Sequence, residues 1–303
     1  TPEQLKEMKK KYTAPELVVC AGAREVNDRE VVFVGIGISD LAGAIAKLVH
    51  TPNCILVAEA GYIGFPSLSV LVSPADNSAG CMAMCHQGLP DIFSDQQSGL
   101  IDMAFLGFAQ MDRFGNVNVS YITSGRPVKM NGSGGGGDIS SSAGRVVYTA
   151  EFSPRQWVNK PDYMTEMGFF DGSPNAREKH NLVGGGPAAV ATDKGVFRFD
   201  PVTHELYLAE VFPWQDEDDI KGIKNSFPWE LKIAKELKIL APPTEQELVM
   251  LKLMDPTGQY TIASIMDRPI GKLVMQGNIG LDGCDKFCQI AEDAVMNVMN
   301  SVT

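Results

Sequence analysis

The run Cys54-Ile55-Leu56-Val57-Ala58 is the strongest constraint on how this chain can fold. Five consecutive apolar residues, closed by Glu59, suit a strand covered on both faces, as in a parallel sheet, rather than a half-exposed hairpin. Val31-Val32-Phe33-Val34 and Met103-Ala104-Phe105-Leu106-Gly107-Phe108 have the same character. Parallel neighbours require crossover connections, and a helix near residues 39–50, with Ser39 or Asp40 as its N-cap, supplies one. Further strands are expected at 117–121, at 145–150 and at 206–211. Residues 188–192 and 196–199 flank Asp193-Lys194-Gly195, which signals a hairpin. Helices are expected at 216–225, 228–240, 244–254 and 285–300, with Thr244 and Glu247 as a capping box. The expected fold class is therefore α/β: a single open mixed/parallel sheet with helices on both faces, later hairpins and a helical C-terminal appendage. Asp255-Pro256-Thr257-Gly258 punctuates the chain. It divides a main domain, 1–250, from a C-terminal extension, 251–303.

Glu59 is the leading candidate for chemistry. It ends the second strand, at the edge where open α/β sheets place ligands, and Ala60-Gly61 follows, letting a ligand approach the backbone. A partly desolvated carboxylate there suits a nucleophile or a general base. Taken alone, a strand-end glutamate is more often a loop cap or an arginine partner. A second candidate is Asn131-Gly132-Ser133-Gly134-Gly135-Gly136-Gly137. Consecutive glycines can turn their N–H groups to one concave side and bind an anion; the competing reading is a flexible surface loop. Gly35-Ile36-Gly37 after the first strand invites a dinucleotide reading, but Asp40 stands where that fingerprint needs its third glycine.

The ordered set of Glu59-Ala60-Gly61, Gln110-Met111-Asp112-Arg113-Phe114-Gly115-Asn116-Val117-Asn118, the glycine run, Asp162-Tyr163-Met164-Thr165, Phe170-Asp171-Gly172 and residues 192–200 resembles the β-subunit of a family I CoA-transferase, the glutaconate type in particular. The resemblance covers roughly residues 15–260. It implies a heteromer with a related α-subunit, a heterotetramer or larger, acting on an acyl-CoA and a carboxylic acid. It implies Glu59 as the nucleophile that forms a glutamyl anhydride and then an enzyme–CoA thioester. It further implies that Asn131, Gly134, Gly135 and Gly136, with Gly61, serve the oxyanion and the CoA arm. Coenzyme A enters as a thioester substrate, and no tightly bound cofactor or metal is expected. Relatives on this scaffold decarboxylate CoA thioesters or hydrolyse C–C bonds. Those relatives tend to replace the glutamate, so Glu59 favours transfer, and an intact glutamate and glycine run argue against an idle subunit. Tyr62 and Phe65 are candidates for limiting acid size. Asp112 and Asn116 read chiefly as turn residues.

Composition narrows the partners. The 303 residues carry a net charge of -11, against the clustered basic charge that nucleic-acid binding needs. No apolar stretch is long enough for a membrane span, and no apolar signal core follows the lysine-rich start, so a cytoplasmic location is expected. Six cysteines, Cys20, Cys54, Cys81, Cys85, Cys284 and Cys288, read as free thiols, although the last four form two C-x3-C pairs that would meet on helices. Arg126 and Lys129 beside the glycine run are candidate phosphate contacts. His86 and His180 are candidate ligand contacts, while His50 and His204 read as surface residues.

Overall fold

The computed structural model describes residues 2–261 except 68, 124 and 126. The expected helix at 285–300, Arg126 and the pair Cys284/Cys288 lie outside the described residues. The chain opens with α1 (Pro2–Lys9) and α2 (Ala14–Ala23), then runs through β1 (Val31–Val34), α3 (Ile38–Ile45), β2 (Ile55–Ala58), β3 (Tyr62–Ile63) and β4 (Cys85–His86). There follow α4 (Leu89–Gln97), β5 (Met103–Leu106), β6 (Gln110–Met111), β7 (Val117–Asn118), β8 (Tyr121–Ile122) and β9 (Val128–Lys129). Next come α5 (Gly136–Ser142), β10 (Arg145–Thr149), α6 (Ala176–Lys179), β11 (Pro187–Thr192), β12 (Gly195–Phe199) and β13 (Leu206–Val211). The described chain closes with α7 (Glu217–Asn225), β14 (Lys232–Ile239) and α8 (Glu245–Met254).

Ten strands form one sheet in the order β14-β13-β12-β11-β10-β5-β1-β2-β3-β4. Its centre, from β2 to β11, is parallel, and hairpins extend it on both sides. Because successive side chains point to opposite faces, each apolar strand feeds two cores. Val32, Val34, Leu56 and Phe105 meet α2, α3 and α8 on one face. Phe33, Val57, Ala104 and Tyr148 meet α4, α5 and α7 on the other. This double burial is why the central strands lack polar alternation.

Three local expectations are corrected. Residues 228–240 carry a helical expectation, yet 232–239 form β14, parallel to β13. Lys, Glu, Leu and Ala favour a helix locally, but β13 offers an open edge, and pairing outweighs propensity. The lysines along β14 suit an edge strand, since charge there discourages further pairing. The stretch 117–121 is not one strand of the main sheet. Asn118 Oδ1 accepts from the N–H of Ser120 (2.9 Å) and of Tyr121 (3.2 Å), so the chain turns after β7. Neither Ser39 nor Asp40 caps α3. Gly37 is the cap residue, and Asp40 is buried, accepting from Leu71 N (2.8 Å) and the Ser67 hydroxyl (3.2 Å). The capping box of Thr244 and Glu247 is present on α8. The expected join at residue 250 lies inside α8, whose Leu251 and Met254 belong to the core.

One buried cation locks the segments behind the parallel strands. Arg177 in α6 donates from Nε to Gly184 O (2.9 Å), from Nη1 to Met167 O (2.8 Å) and Gly168 O (3.0 Å), and from Nη2 to Ser140 O (2.8 Å) and Ser141 O (3.1 Å). Burial lowers its pKa to about 10, which leaves it charged at neutral pH. Lysine cannot reproduce this planar fork. Arg177→Lys should therefore lower the unfolding free energy by about 3 kcal/mol through stranded carbonyls. Denaturant unfolding checks this; a loss below about 0.5 kcal/mol, as at ordinary surface sites, would remove Arg177 from that role.

Candidate active site

The C-terminal ends of β1, β2, β5 and β10 open into one cleft of about 780 Å³, within the usual range for small-ligand sites. The parallel strands turn to opposite sides of β1, towards β2 and towards β5, so the cleft sits at the topological switch point. Val34 and Ala58 are register partners, so Gly35 and Glu59 leave the sheet side by side. Phe33, Leu106, Phe108 and Ile139 give the cleft apolar walls. Glu59 lines it and is half-buried.

The glycine run faces Glu59. A Cβ on Gly135 would lie 2.6 Å from Glu59 Oε1 and 2.5 Å from Phe93 Cζ, so only glycine fits against the carboxylate. The run is not an open loop between strands. Gly136 N–H donates to Ser133 O (2.8 Å) and Gly137 N–H to Ser133 Oγ (3.0 Å), forming a turn that enters α5. Gly135 and Gly136 are buried, while Asn131 and Gly134 are exposed, and all four line the cleft. Gly61 does not. A Cβ there would lie 1.9 Å from the Gln87 carbonyl oxygen, and its N–H returns to Ala58 O (2.9 Å), so it serves the tight turn between β2 and β3. Tyr62 and Phe65 also lie off the cleft lining. Tyr62 donates to Asn77 Oδ1 (3.1 Å), and Phe65 is fully buried in the core.

Glu166 is a site residue that the sequence did not single out, although it directly follows Asp162-Tyr163-Met164-Thr165. It lines the cleft while only 3% exposed, and a Cβ on Gly136 would lie 2.5 Å from its Oε1. Neither Glu166 Oε2 nor the Tyr148 hydroxyl has a partner in hydrogen-bonding geometry among the described residues. Burial pushes the Glu166 carboxyl up to about 8, and the neighbouring Tyr148 hydroxyl offsets only part of that rise. Near neutral pH this carboxyl is mostly protonated, so the cleft wall beside Gly136 carries little negative charge.

The remaining motif residues form the frame. Asp112 Oδ1 accepts from Phe114 N (2.9 Å) and Asn116 N (3.0 Å), and Asn116 Nδ2 donates to Asp112 Oδ2 (2.8 Å) and Phe170 O (2.7 Å). Asn118 donates to Gln110 Oε1 (2.7 Å), and Ser120 and Thr165 hydroxyls meet at 2.9 Å. These contacts bind 110–120 to 162–170 and so present Glu166. The exposed His86 and His180 do not line the cleft: His86 packs edge-on to Tyr62 and His180 stacks on Phe170 at 3.9 Å. Lys129 is exposed on β9. Cys81 and Cys85 are exposed free thiols and share no helix, since Cys81 follows a short 3₁₀ turn and Cys85 lies in β4.

Residues 17–222 match the family described as Coenzyme A transferase. The chain belongs to the CoA-transferase family. The β-subunit of 3-oxoadipate CoA-transferase from Pseudomonas knackmussii is 32% identical over 80% of this chain and 94% of its own length. The β-subunit of glutaconate CoA-transferase from Acidaminococcus fermentans is 30% identical over 81% of this chain and 93% of its own length. The crystal structure of glutaconate coenzyme A-transferase from that organism aligns with TM-score 0.74 at 26% identity, covering 84% of this chain and 98% of the other. The decarboxylase AibA/AibB shares the fold, with TM-score 0.67 at 22% identity over 82% of this chain and 98% of the other.

The geometry of this CoA-transferase cleft has consequences for rate and for pH. Gly135→Ala should lower the rate of CoA transfer by about 100-fold, the scale of a lost transition-state contact. Gly134→Ala meets nothing at its Cβ and adds only the backbone strain of φ +48°, roughly 1–2 kcal/mol, without displacing Glu59, so it should slow the reaction less. Equal single-turnover rates in the two variants would contradict this. As for pH, a carboxyl raised from 4.5 to about 8 binds its proton more tightly in the folded state. Its stabilisation is complete below pH 4.5 and is lost as pH rises towards 8. Asp40, raised by burial to about 7, acts in the same direction. Glu166→Gln should flatten the fall in melting temperature between about pH 5 and 8. A slope as steep as the wild type's would show that Glu166 ionises as freely when folded as when unfolded.

Proposed function

We propose that this chain is the nucleophile-bearing subunit of a CoA-transferase that moves CoA between an acyl-CoA and a carboxylic acid. A Glu59 oxygen attacks the thioester carbonyl. The C–S bond breaks, CoA thiolate leaves, and Glu59 and the acyl group share an anhydride. The thiolate then attacks the Glu59 carbonyl and expels the donor acid with the bridging oxygen, leaving an enzyme–CoA thioester. The acceptor carboxylate reverses both steps. Such covalent catalysis divides one hard step into easier ones. Gly134 and Gly135 N–H groups are assigned to the oxyanion, with Asn131 at the CoA rim. The observation that carries the reading is Glu59 in the cleft with Gly135 against its Oε1.

Decarboxylation or C–C hydrolysis of a CoA thioester on this scaffold is the second reading. The decarboxylase likeness is one of fold, and the retained Glu59 favours transfer. We also propose a related α-subunit as partner, in a heterotetramer or larger assembly, which supplies the rest of the acid pocket. The names of the two relatives mark each as one subunit of its enzyme. Val72 (71%), Met82 (72%) and Met84 (78%) are unusually exposed apolar side chains on the 72–84 stretch that also carries Pro74 of the cleft wall.

The assembled enzyme, incubated with acyl-CoA without acceptor and reduced with borohydride, should yield a modified peptide containing Glu59. Glu59→Ala should abolish transfer, and transfer that persists in that variant would sink the mechanism. The chain purified alone should show no turnover until the partner subunit is added.

A further inference from the structure

We infer that Tyr260 is a specificity-determining residue: its ring, clamped over Gly37, limits the size of the acyl group that can lie against Glu59. The inference rests on the transferase reading above. Tyr62 and Phe65, expected from the sequence to set this limit, lie off the cleft lining, whereas Tyr260 lines it. It also lies beyond residues 17–222, the stretch that matches the family.

The position of Tyr260 is built rather than incidental. The α8 helix is anchored first: Arg24 donates to Glu247 through Nε (3.0 Å) and Nη2 (2.7 Å), and Leu251 and Met254 enter the core. Asp255 follows at 5% exposure. Its carboxylate accepts from the N–H groups of Gln259 (2.7 Å), Tyr260 (2.8 Å) and Thr261 (2.9 Å), and from the Thr261 hydroxyl (3.1 Å). Hydrogen bonds to a carboxylate are among the stronger kind, and four of them fix this turn. The Thr13 hydroxyl, at the start of α2, donates to Thr261 O (2.8 Å) and pins the far end.

This clip sets the Tyr260 ring on the turn after β1. A Cβ on Gly37 would lie 2.8 Å from Tyr260 Cε1, and Gly37 has φ +67°. Both the backbone conformation and the aromatic contact require glycine there. Gly37 is close to the chemistry, because Val34 pairs with Ala58 and Glu59 follows Ala58.

The two rims of the cleft differ in character. Asn131, Ser133 and Gly134 make one rim polar and exposed. Ile36 and Ile38, on either side of the Gly37 that Tyr260 contacts, are apolar members of the lining, as is Phe105. A thioester carbonyl at Glu59 has two substituents. The long polar pantetheine arm suits the open polar rim, which leaves the apolar side to the acyl chain. Tyr260, packed on Gly37 within this lining, is assigned to set its length.

The test uses the enzyme assembled with its partner subunit and compares kcat/KM for acetyl-, butyryl- and hexanoyl-CoA with one acceptor acid. A methylene in an apolar pocket discriminates by about tenfold or more. Tyr260→Ala should raise the hexanoyl-to-acetyl ratio by about tenfold, Tyr260→Trp should lower it, and Tyr260→Phe should keep it, because the ring rather than the hydroxyl sets the limit. Should Tyr260→Ala fail to assemble, the Phe and Trp variants still decide the matter. A ratio that does not move in Tyr260→Trp, or in an assembled Tyr260→Ala, overturns the inference. Absence of any CoA transfer by the wild-type enzyme would instead overturn the transferase reading, so the two failures are distinguishable.

Discussion

The five hydrogen bonds of the Arg177 guanidinium join three separate stretches of backbone: the end of α5, residues 167–168 and Gly184. Two of these stretches bear on the cleft. The α5 helix begins with the glycines that face Glu59. Residues 167–168 follow Glu166 directly, and Gly184 precedes β11. A buried charge is tolerable only when its donors are satisfied, and here main-chain carbonyls satisfy them. The placement of the glycine run relative to the sheet therefore depends on a residue that touches neither Glu59 nor the cleft lining.

Within that frame the site follows from sheet topology. Parallel strands end together, and the switch at β1 leaves a crevice into which Glu59 and the turn at Gly35–Gly37 emerge. Two successive glycines then admit two carboxyl groups: Gly135 gives room to Glu59, and Gly136 to Glu166. The half-buried Glu59 meets the cleft, whereas the buried Glu166 holds its proton to about pH 8.

Much of the fold was legible because its signals are local and mutually consistent. Continuous apolar runs marked β1, β2 and β5, Asp193-Lys194-Gly195 marked the β11–β12 hairpin, and Thr244 with Glu247 marked the start of α8. Failures occurred where a distant partner decided the outcome. Residues 232–239 have helical propensity but meet the open edge of β13. Asp40, a plausible cap by type, is taken up by Leu71 and Ser67. Gly61 looked like a close-approach glycine for a ligand, and its neighbour is instead the Gln87 carbonyl.

By itself, the sequence determined the parallel centre of the sheet, the position of Glu59 at a strand end and the order of motifs that marks the family, because these depend on residue type and short-range spacing. Only the tertiary structure decided which groups share the cleft. Glu166 and Tyr260 lie 107 and 201 residues beyond Glu59 in the sequence. They come to the cleft through a strand bridge at Val117 and a carboxylate-held turn at Asp255. Neither contact leaves a periodic trace in the chain: one is a main-chain bridge between distant segments, the other an irregular turn held by a single carboxylate.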